Sequence, residues 1–198
     1  MSNSLITEKA LAESLKKLML TTPVNKIHVR MITDDCGLTR HTFYNHFQDV
    51  YALLGWIYEH EVIEDLEKCC NQTGWERGIR LVLQYTVDNR TICLNTFRSL
   101  GRDHLESFLY HVFHRVMEGI IEDAARDRYM KGSLKSEIAE FYSNAVTGIF
   151  IAWLKQDLKK EPGLIAYGIE KMFEGSIERF MAEYGENEAF FTQNRAGV

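Results

Sequence analysis

The sequence predicts an all-α fold, in which an N-terminal three-helix domain with a helix-turn-helix precedes a bundle of longer helices. Apolar residues recur at three- and four-residue spacing along most of the chain, which is the pattern of amphipathic helices. Only two prolines, Pro23 and Pro162, interrupt 198 residues, and no stretch alternates β-branched with polar residues as a half-buried strand would. Apolar residues make up 45% of the chain, so a substantial core is expected and wholesale disorder is not.

The first helix is predicted to begin at Thr7, whose hydroxyl can accept a backbone N–H at a helix N-terminus. Residues 1–4 are expected to form a loose arm. One face of this helix carries an apolar stripe, whose members are Ile6, Ala10, Leu11, Leu15, Leu18 and Met19. The helix should end at Thr22-Pro23, because the residue before a proline is pushed out of the α region.

Two short helices are expected next. The first of them covers roughly Val29–Cys36, with Gly37 in the left-handed position that often follows a helix. The other covers about Arg40–Phe47, with Thr39 as its N-cap. Two short helices joined at a glycine have the shape of a helix-turn-helix, which favours DNA binding over catalysis.

A fourth helix, capped by Asp49 and covering 49–70, should join an N-terminal domain of residues 1–50 to a C-terminal domain of residues 51–198. Helical periodicity continues through the second domain. The further helices are expected over Trp75–Asn89, Cys93–Leu100, Leu105–Ala124, Ser133–Leu158 with Ser133 as N-cap, and 162–184 after Pro162.

The helix expected over 133–158 is unusually apolar. Between Ile138 and Leu154 little of its circumference is polar. A helix that is apolar nearly all round must be covered on nearly all sides, and a domain this small can cover only one. The other side is therefore expected to meet a second subunit.

The outward face of the third helix is crowded with hydrogen-bonding side chains and contains no Glu, Lys or Ala. Its members are Thr39, Arg40, His41, Thr42, Tyr44, Asn45 and His46. Such a face suits base edges and phosphates better than water alone. The alternative is a polar surface helix in another small bundle, and the net charge of −5 does not by itself indicate a nucleic-acid partner.

The reach and chemistry of several of these side chains indicate a role for them. Arg40 can pair with guanine through two hydrogen bonds, and Asn45 can do the same with adenine. The Thr42 methyl group can meet a thymine methyl. Tyr44 and Thr39 are expected to contact phosphate. Arg30, at the start of the second helix, can reach a base or the backbone.

The segment Gly37-Leu38-Thr39-Arg40-His41-Thr42-Phe43-Tyr44-Asn45-His46-Phe47 resembles the helix-turn-helix of TetR-type transcriptional regulators. The resemblance covers about residues 5–60, and the length and helical body also fit that family. It implies a homodimer on a near-palindromic operator, with dimerisation through the helices at 133–158 and 162–184. It also implies a body that often holds a ligand pocket.

The resemblance implies that the residues at the DNA are Arg30, Thr39, Arg40, His41, Thr42, Tyr44, Asn45 and His46. Three positions depart from the family pattern. His28 stands where a capping Thr is usual, Thr33 where Ala is usual, and Val50 where a Lys usually clamps a phosphate. Gln48 or Tyr51 is expected to replace that clamp.

Trp56-Ile57-Tyr58 is similar to the branch of regulators of dihydroxyacetone kinase operons, which includes an activator that works with a protein co-regulator. The expected partners are therefore double-stranded DNA, a second copy of the chain, and either a small-molecule effector or a protein co-regulator. We expect no cofactor, no enzymatic activity and no membrane partner. We expect the protein to be cytoplasmic. The residues expected at the dimer interface are Phe141, Ala145, Gly148, Ile149, Ala152, Met172, Ser176 and Phe180.

Other patterns leave alternatives open. His104, His111, His114 and Glu118 share one helix, where they can hold a metal or simply form a solvated or pocket-lining face. The aromatic residues of the body can line a ligand cavity or fill the core; they are Tyr85, Phe97, Phe108, Tyr110, Phe113, Tyr142 and Trp153. Cys69-Cys70 can be a redox sensor or an inert pair. A helical protein-interaction module without an operator of its own is the alternative function.

Overall fold

The computed structural model describes residues 3–66, 74–99, 102–126, 130–176 and 179, and all regular structure within them is helical. A single 3₁₀ turn, Val24–Lys26, precedes the second helix. The helices are α1 Asn3–Met19, α2 Val29–Cys36, α3 Arg40–Tyr44, α4 Val50–Leu66, α5 Trp75–Asp88, α6 Arg90–Phe97, α7 Arg102–Ala124, α8 Gly132–Lys155 and α9 Pro162–Phe173. The all-α prediction is therefore confirmed.

Two boundaries in the N-terminal domain differ from the prediction. The first helix begins at Asn3 instead of Thr7, and Ser4, which was expected in the arm, lies in the helix with its Oγ bonded to Glu8 Oε1 at 3.1 Å. The third helix ends at Tyr44 instead of continuing to Phe47. The N–H groups of His46 and Phe47 both bond to the carbonyl of Phe43, which closes the helix early.

The body also departs from the expected boundaries. α6 begins at Arg90, earlier than expected. Ser133 is not an N-cap, because α8 already begins at Gly132 and the capping position belongs to Lys131. α9 ends at Phe173, and Gly175 then adopts a left-handed φ of 66°, so the helix expected over 162–184 is interrupted.

One part of the core forms where α1, α2 and α3 meet. Leu15, Ile32 and Phe43 are completely buried there, and Phe47 nearly so, as expected for residues that face inward. Ser14 Oγ donates to the carbonyl of Ile32 at 2.9 Å and ties α1 to α2. Ile6 is 56% exposed, so it does not belong to the buried stripe.

α4 continues this core from the first three helices to the later ones. Leu53, Leu54 and Ile57 are buried along it. Behind it α7 and α8 pack together, with the rings of Phe113 and Phe150 4.9 Å apart. No helix in the described ranges is both long enough and apolar enough to cross a membrane.

Candidate nucleic-acid interface and dimer face

The turn between α2 and α3 is built from local signals in the sequence. Gly37 adopts φ 70°, a conformation that side chains rarely tolerate, and the N–H of Leu38 bonds back to the carbonyl of Thr33 at 2.9 Å. Thr39 Oγ1 then accepts the N–H of Thr42 at 3.1 Å and caps α3. These contacts set the angle at which α3 leaves α2.

Most of the side chains expected at the DNA lie on one exposed surface. Tyr44 is 58% exposed, and its ring packs edge-on against the buried Phe43 at 5.5 Å, which holds the hydroxyl outward. Thr42 is half-buried, and its hydroxyl lies 2.9 Å from that of Thr39. The other exposed members are Arg30, Thr39, Arg40, His41, Asn45 and Gln48.

His46 does not belong to the outward face, contrary to the prediction. It lies in the turn after α3, with its side chain 17% exposed. Its Nδ1 is 3.1 Å from Glu8 Oε1 and 3.4 Å from Ser4 Oγ. The early end of α3 turns this imidazole towards α1, so it links α1 to the turn after α3 instead of facing outward.

A concave surface connects the starts of α2 and α4 with the side of α3. Its open volume is about 370 Å³, and Arg30, Arg40 and Tyr44 stand on its walls. His28 is the N-cap of α2 and makes no side-chain capping bond, so the first N–H groups of α2 keep their capacity to bind an anion. Asp49 at the edge is occupied as the cap of α4, with its Oδ1 2.8 Å from the N–H of Ala52.

The position where a lysine is expected to clamp a phosphate holds a buried residue in this chain. Val50 is 8% exposed and belongs to the core. The neighbouring Tyr51 ring is stacked on His104 of α7, with centroids 5.0 Å apart and planes 6° apart. Burial, with Asp49 nearby, raises the pKa of Tyr51. Gln48 is exposed, so of the two expected substitutes it is the freer to meet a phosphate.

α8 and α9 each expose apolar residues, and these residues together are called the α8–α9 face. Phe141 is 68% exposed and Met172 70%. Gly148 and Ala152 continue the face as exposed small residues, and Ala145 and Ile149 are half-buried beside it. The opposite side of α8, with Val146 and Phe150, is buried in the body.

Two exposed apolar residues of α9 were not predicted from the sequence. Leu164 is 59% exposed and Tyr167 57%, and the three-residue spacing between these two apolar residues was the available signal. Ser176 was expected at the interface, but its hydroxyl accepts from Tyr142 at 3.0 Å and donates to the Phe173 carbonyl at 2.9 Å. It is therefore engaged within its own subunit. Phe180 lies outside the described residues.

Each histidine of α7 contacts an aromatic ring or the backbone. His104 stacks on Tyr51, the Nδ1 of His111 is 2.6 Å from the Ser107 carbonyl, and His114 stacks on Tyr110. The described part of the chain contains no cluster of three or more metal-binding side chains. Among the aromatic candidates Phe113, Tyr142 and Trp153 are buried in the core, Tyr85, Phe97 and Phe108 are half-buried against it, and Tyr110 is half-buried. Cys69 and Cys70 lie outside the described residues.

An exposed helix-turn-helix joined to a helical body defines a DNA-binding regulator. The family model for the C-terminal region of TetR-type transcriptional regulators matches residues 73–175, which is more than half of the chain. The chain belongs to the TetR family of transcriptional regulators.

Named relatives agree with this assignment. The HTH-type dhaKLM operon transcriptional activator DhaS of Lactococcus lactis subsp. lactis strain IL1403 is 28% identical over 151 residues, covering 75% of this chain and 80% of the relative. The solved structure of the dihydroxyacetone kinase operon activator DhaS superposes with a TM-score of 0.69 at 24% identity, covering 88% of this chain and 97% of that one.

The fold recurs in a more distant regulator. NalD, the secondary repressor of the MexAB-OprM multidrug efflux pump in Pseudomonas aeruginosa, superposes with a TM-score of 0.60 at 20% identity, covering 87% of this chain and 97% of that one. These relatives are transcriptional regulators and not enzymes, and the chain is accordingly a DNA-binding transcriptional regulator.

Proposed function

We propose that the protein binds a near-palindromic operator as a homodimer, with residues 1–50 as the DNA-binding domain and residues 51–198 as the dimerisation and regulatory domain. The observation that carries the proposal is that one chain has two exposed faces in different parts of its sequence. One is the polar surface of α3, and the other is the apolar surface of α8 and α9. A symmetric dimer through the second face presents two copies of the first.

Within each DNA-binding domain, Arg40 and Asn45 read base edges in the major groove. Both are exposed and carry the side chains that form paired hydrogen bonds with guanine and adenine. Thr39, Tyr44 and Gln48 hold the phosphate backbone, and His41 and Arg30 flank them. Thr42 contributes its methyl group, because its hydroxyl is already beside that of Thr39.

A ligand or protein partner at the body changes DNA affinity only if it binds two arrangements of the dimer unequally. The relative DhaS is named as an activator of the dhaKLM operon. The regulatory region of a dihydroxyacetone kinase operon is therefore the first DNA to test as a target, and a protein co-regulator stands beside a small molecule as the candidate effector.

Arg40→Ala and Tyr44→Phe separate the two roles at the DNA. The DNA affinity of each variant is measured by fluorescence polarisation on the duplex that the unaltered protein prefers. It is also measured on a panel of duplexes that carry single base-pair changes. Arg40→Ala should weaken binding to the preferred duplex by about 1–3 kcal/mol and flatten the preference at one base pair. Tyr44→Phe should weaken binding to all duplexes alike, since a phosphate contact carries no sequence information.

Arg77→Ala is the matched control, because Arg77 is an exposed arginine on α5 in the body. It should leave both affinity and preference unchanged. An Arg40→Ala protein that keeps the full preference at every base pair would contradict the proposed base contact. A panel on which the unaltered protein shows no preference would contradict specific binding to that target.

A further inference from the structure

Arg30 and Asp34 stand one turn apart on the exposed side of α2. Arg30 Nε lies 3.3 Å from Asp34 Oδ2, and the two side chains are 76% and 67% exposed. In the part of the chain that the structure describes, neither side chain has another hydrogen-bond or ion-pair partner. An exposed pair of this kind adds little to the stability of a helix, so the pair contributes little to folding.

The bond to Asp34 leaves the end of the Arg30 guanidinium free. A guanidinium has five N–H groups, and Asp34 takes the one on Nε. The N–H groups on Nη1 and Nη2 stay available, and these two nitrogens match the O6 and N7 acceptors of guanine in the major groove. The carboxylate also restricts the rotation of a long side chain, so less ordering remains to be done when DNA binds.

The position of Arg30 brings this guanidinium to the side of the molecule that is expected to meet DNA. Arg30, Arg40 and Tyr44 stand on the walls of one concave surface of about 370 Å³. We call this surface, together with the exposed side chains of α2 and α3 around it, the DNA face. Arg30 belongs to α2 and Arg40 to α3, so the two arginines can meet different base pairs.

The charge of Asp34 is unfavourable on a surface that meets phosphates. Every duplex repels its carboxylate alike, because the charge of the DNA backbone does not depend on sequence. Hydrogen bonds from Arg30 to guanine offset this repulsion only where a guanine is present. Specificity is a difference of affinities, so a residue that weakens binding to wrong sequences more than to the right one increases it.

The neighbouring Asp35 is engaged differently. Its side chain is 23% exposed, and it accepts a hydrogen bond from Lys17 Nζ of α1 at 2.5 Å. The hydrogen bond from Lys17, with another from Ser14, lowers the pKa of the Asp35 carboxyl. Asp35 therefore belongs to the contact between α1 and α2, whereas Asp34 is exposed together with Arg30.

We propose that Asp34 is a specificity-determining residue, which holds the Arg30 guanidinium ready for a guanine and penalises DNA that lacks a guanine at that position. Asp34 is a positioning residue, because it acts through Arg30. The proposal rests on the operator binding proposed above. It adds to that function the base that Arg30 reads and the residue that makes this contact selective.

The test uses the full-length protein and the duplex that it selects from a random pool. Asp34→Ala removes the carboxylate, Arg30→Ala removes the guanidinium, and a third variant carries both changes. Asp35→Ala is the matched control, because it removes the same charge from the next residue of α2. Asp34→Glu keeps a carboxylate one turn from Arg30 and should retain the specificity. Circular dichroism checks that every variant keeps its helices.

Affinities are compared on the selected duplex, on random duplexes and on duplexes with single base-pair changes. Asp34→Ala should bind random duplexes about threefold more tightly, since one repulsive charge is gone. The ratio of the affinities for selected and random duplexes should fall about tenfold, with the preference weakened at one G·C pair, the same pair as in Arg30→Ala.

The control and the double variant decide whether Asp34 acts through Arg30. In the Arg30→Ala background, Asp34→Ala should leave the ratio of affinities unchanged, because no guanidinium remains to be positioned. Asp35→Ala should leave this ratio unchanged in the otherwise unaltered protein. An Asp34→Ala protein that keeps the full ratio, or a loss of equal size with and without Arg30, would overturn the proposal.

A modified base tests the guanine contact directly. 7-Deazaguanine lacks the N7 acceptor in the major groove. Placed at the G·C pair that Arg30→Ala identifies, it should weaken binding of the unaltered protein about fivefold and binding of Arg30→Ala not at all. Equal weakening in both proteins, or none in either, would overturn the assignment of guanine to Arg30. A protein that selects no sequence from the pool would instead contradict the operator binding itself, so the two proposals fail by different results.

Discussion

Phe141 offers the sharpest test of the proposed dimer face. Its ring is 68% exposed on α8, an unusual position for so large an apolar side chain. Phe141→Asp replaces the ring with a charge that a dry interface cannot accommodate without a partner. In a symmetric interface each substitution occurs twice, because the same surface serves both subunits. We therefore expect the variant to dissociate into folded monomers.

The magnitude follows from the exposed area. A phenylalanine side chain has about 200 Å² of surface, of which 68% is exposed, leaving about 140 Å² for a partner to cover. At about 25 cal/mol per Å² this is about 3.5 kcal/mol for each subunit and about 7 kcal/mol for the dimer. If only half of that area is buried, the dissociation constant should still rise more than a hundredfold.

Sedimentation velocity over a dilution series measures this change, and circular dichroism checks that the helices persist. Leu20→Asp is the matched control, since Leu20 is 57% exposed and follows α1, so it belongs to neither α8 nor α9. It should remain dimeric. A Phe141→Asp protein that dissociates no more readily than Leu20→Asp would refute the assignment of this face.

Two further outcomes concern single residues. Thr39→Ala removes the cap at the N–H of Thr42 and should cost about 1 kcal/mol of stability, measured by urea unfolding without DNA. Thr21→Ala, in an exposed turn, is its control, and an equal loss there would contradict the capping role. Burial, reinforced by Glu61, raises the pKa of Cys93 to about 12, so this thiol should resist alkylation at pH 8 until the protein unfolds. The unfolded thiol ionises near its ordinary pKa of 9.0, so the stability from keeping Cys93 neutral should fall as pH rises from there towards 12. Mass spectrometry of alkylated peptides checks the first point, and modification of native Cys93 at the unfolded rate would contradict it.

The helix-turn-helix could be predicted because its signals are local. Gly37 marks the left-handed turn and Thr39 marks the start of α3, and both act within a few residues of their own positions. The orientation of His46 could not be predicted in this way. It depends on Glu8, which is distant in the chain, and on α3 ending at Tyr44. Helical spacing beyond that point no longer describes which way a side chain faces.

Contacts between distant parts of the chain could not be predicted from the sequence for the same reason. Nothing near Asn95 in the sequence indicates that its amide holds the turn after Met19. The left-handed backbone of Asp157 has no local signal in the sequence either, since aspartate occupies this conformation only occasionally. The exposed side of α8 was predictable in outline, because its excess of apolar residues required two partners.

The DNA face carries little positive charge. This low charge connects the proposed DNA binding with the proposed dimer. α2 and α3 together contain two arginines. Arg30 Nε lies 3.3 Å from Asp34 Oδ2, which offsets part of its charge, and Val50 fills the position of the usual phosphate clamp. Since affinity for DNA depends strongly on the number of phosphates neutralised, one domain alone should bind weakly. Joining two domains makes the second contact intramolecular and multiplies the affinity by their effective concentration. The loss of the clamp therefore makes DNA binding depend more on the α8–α9 face, and Phe141→Asp should weaken operator binding although it lies far from the DNA.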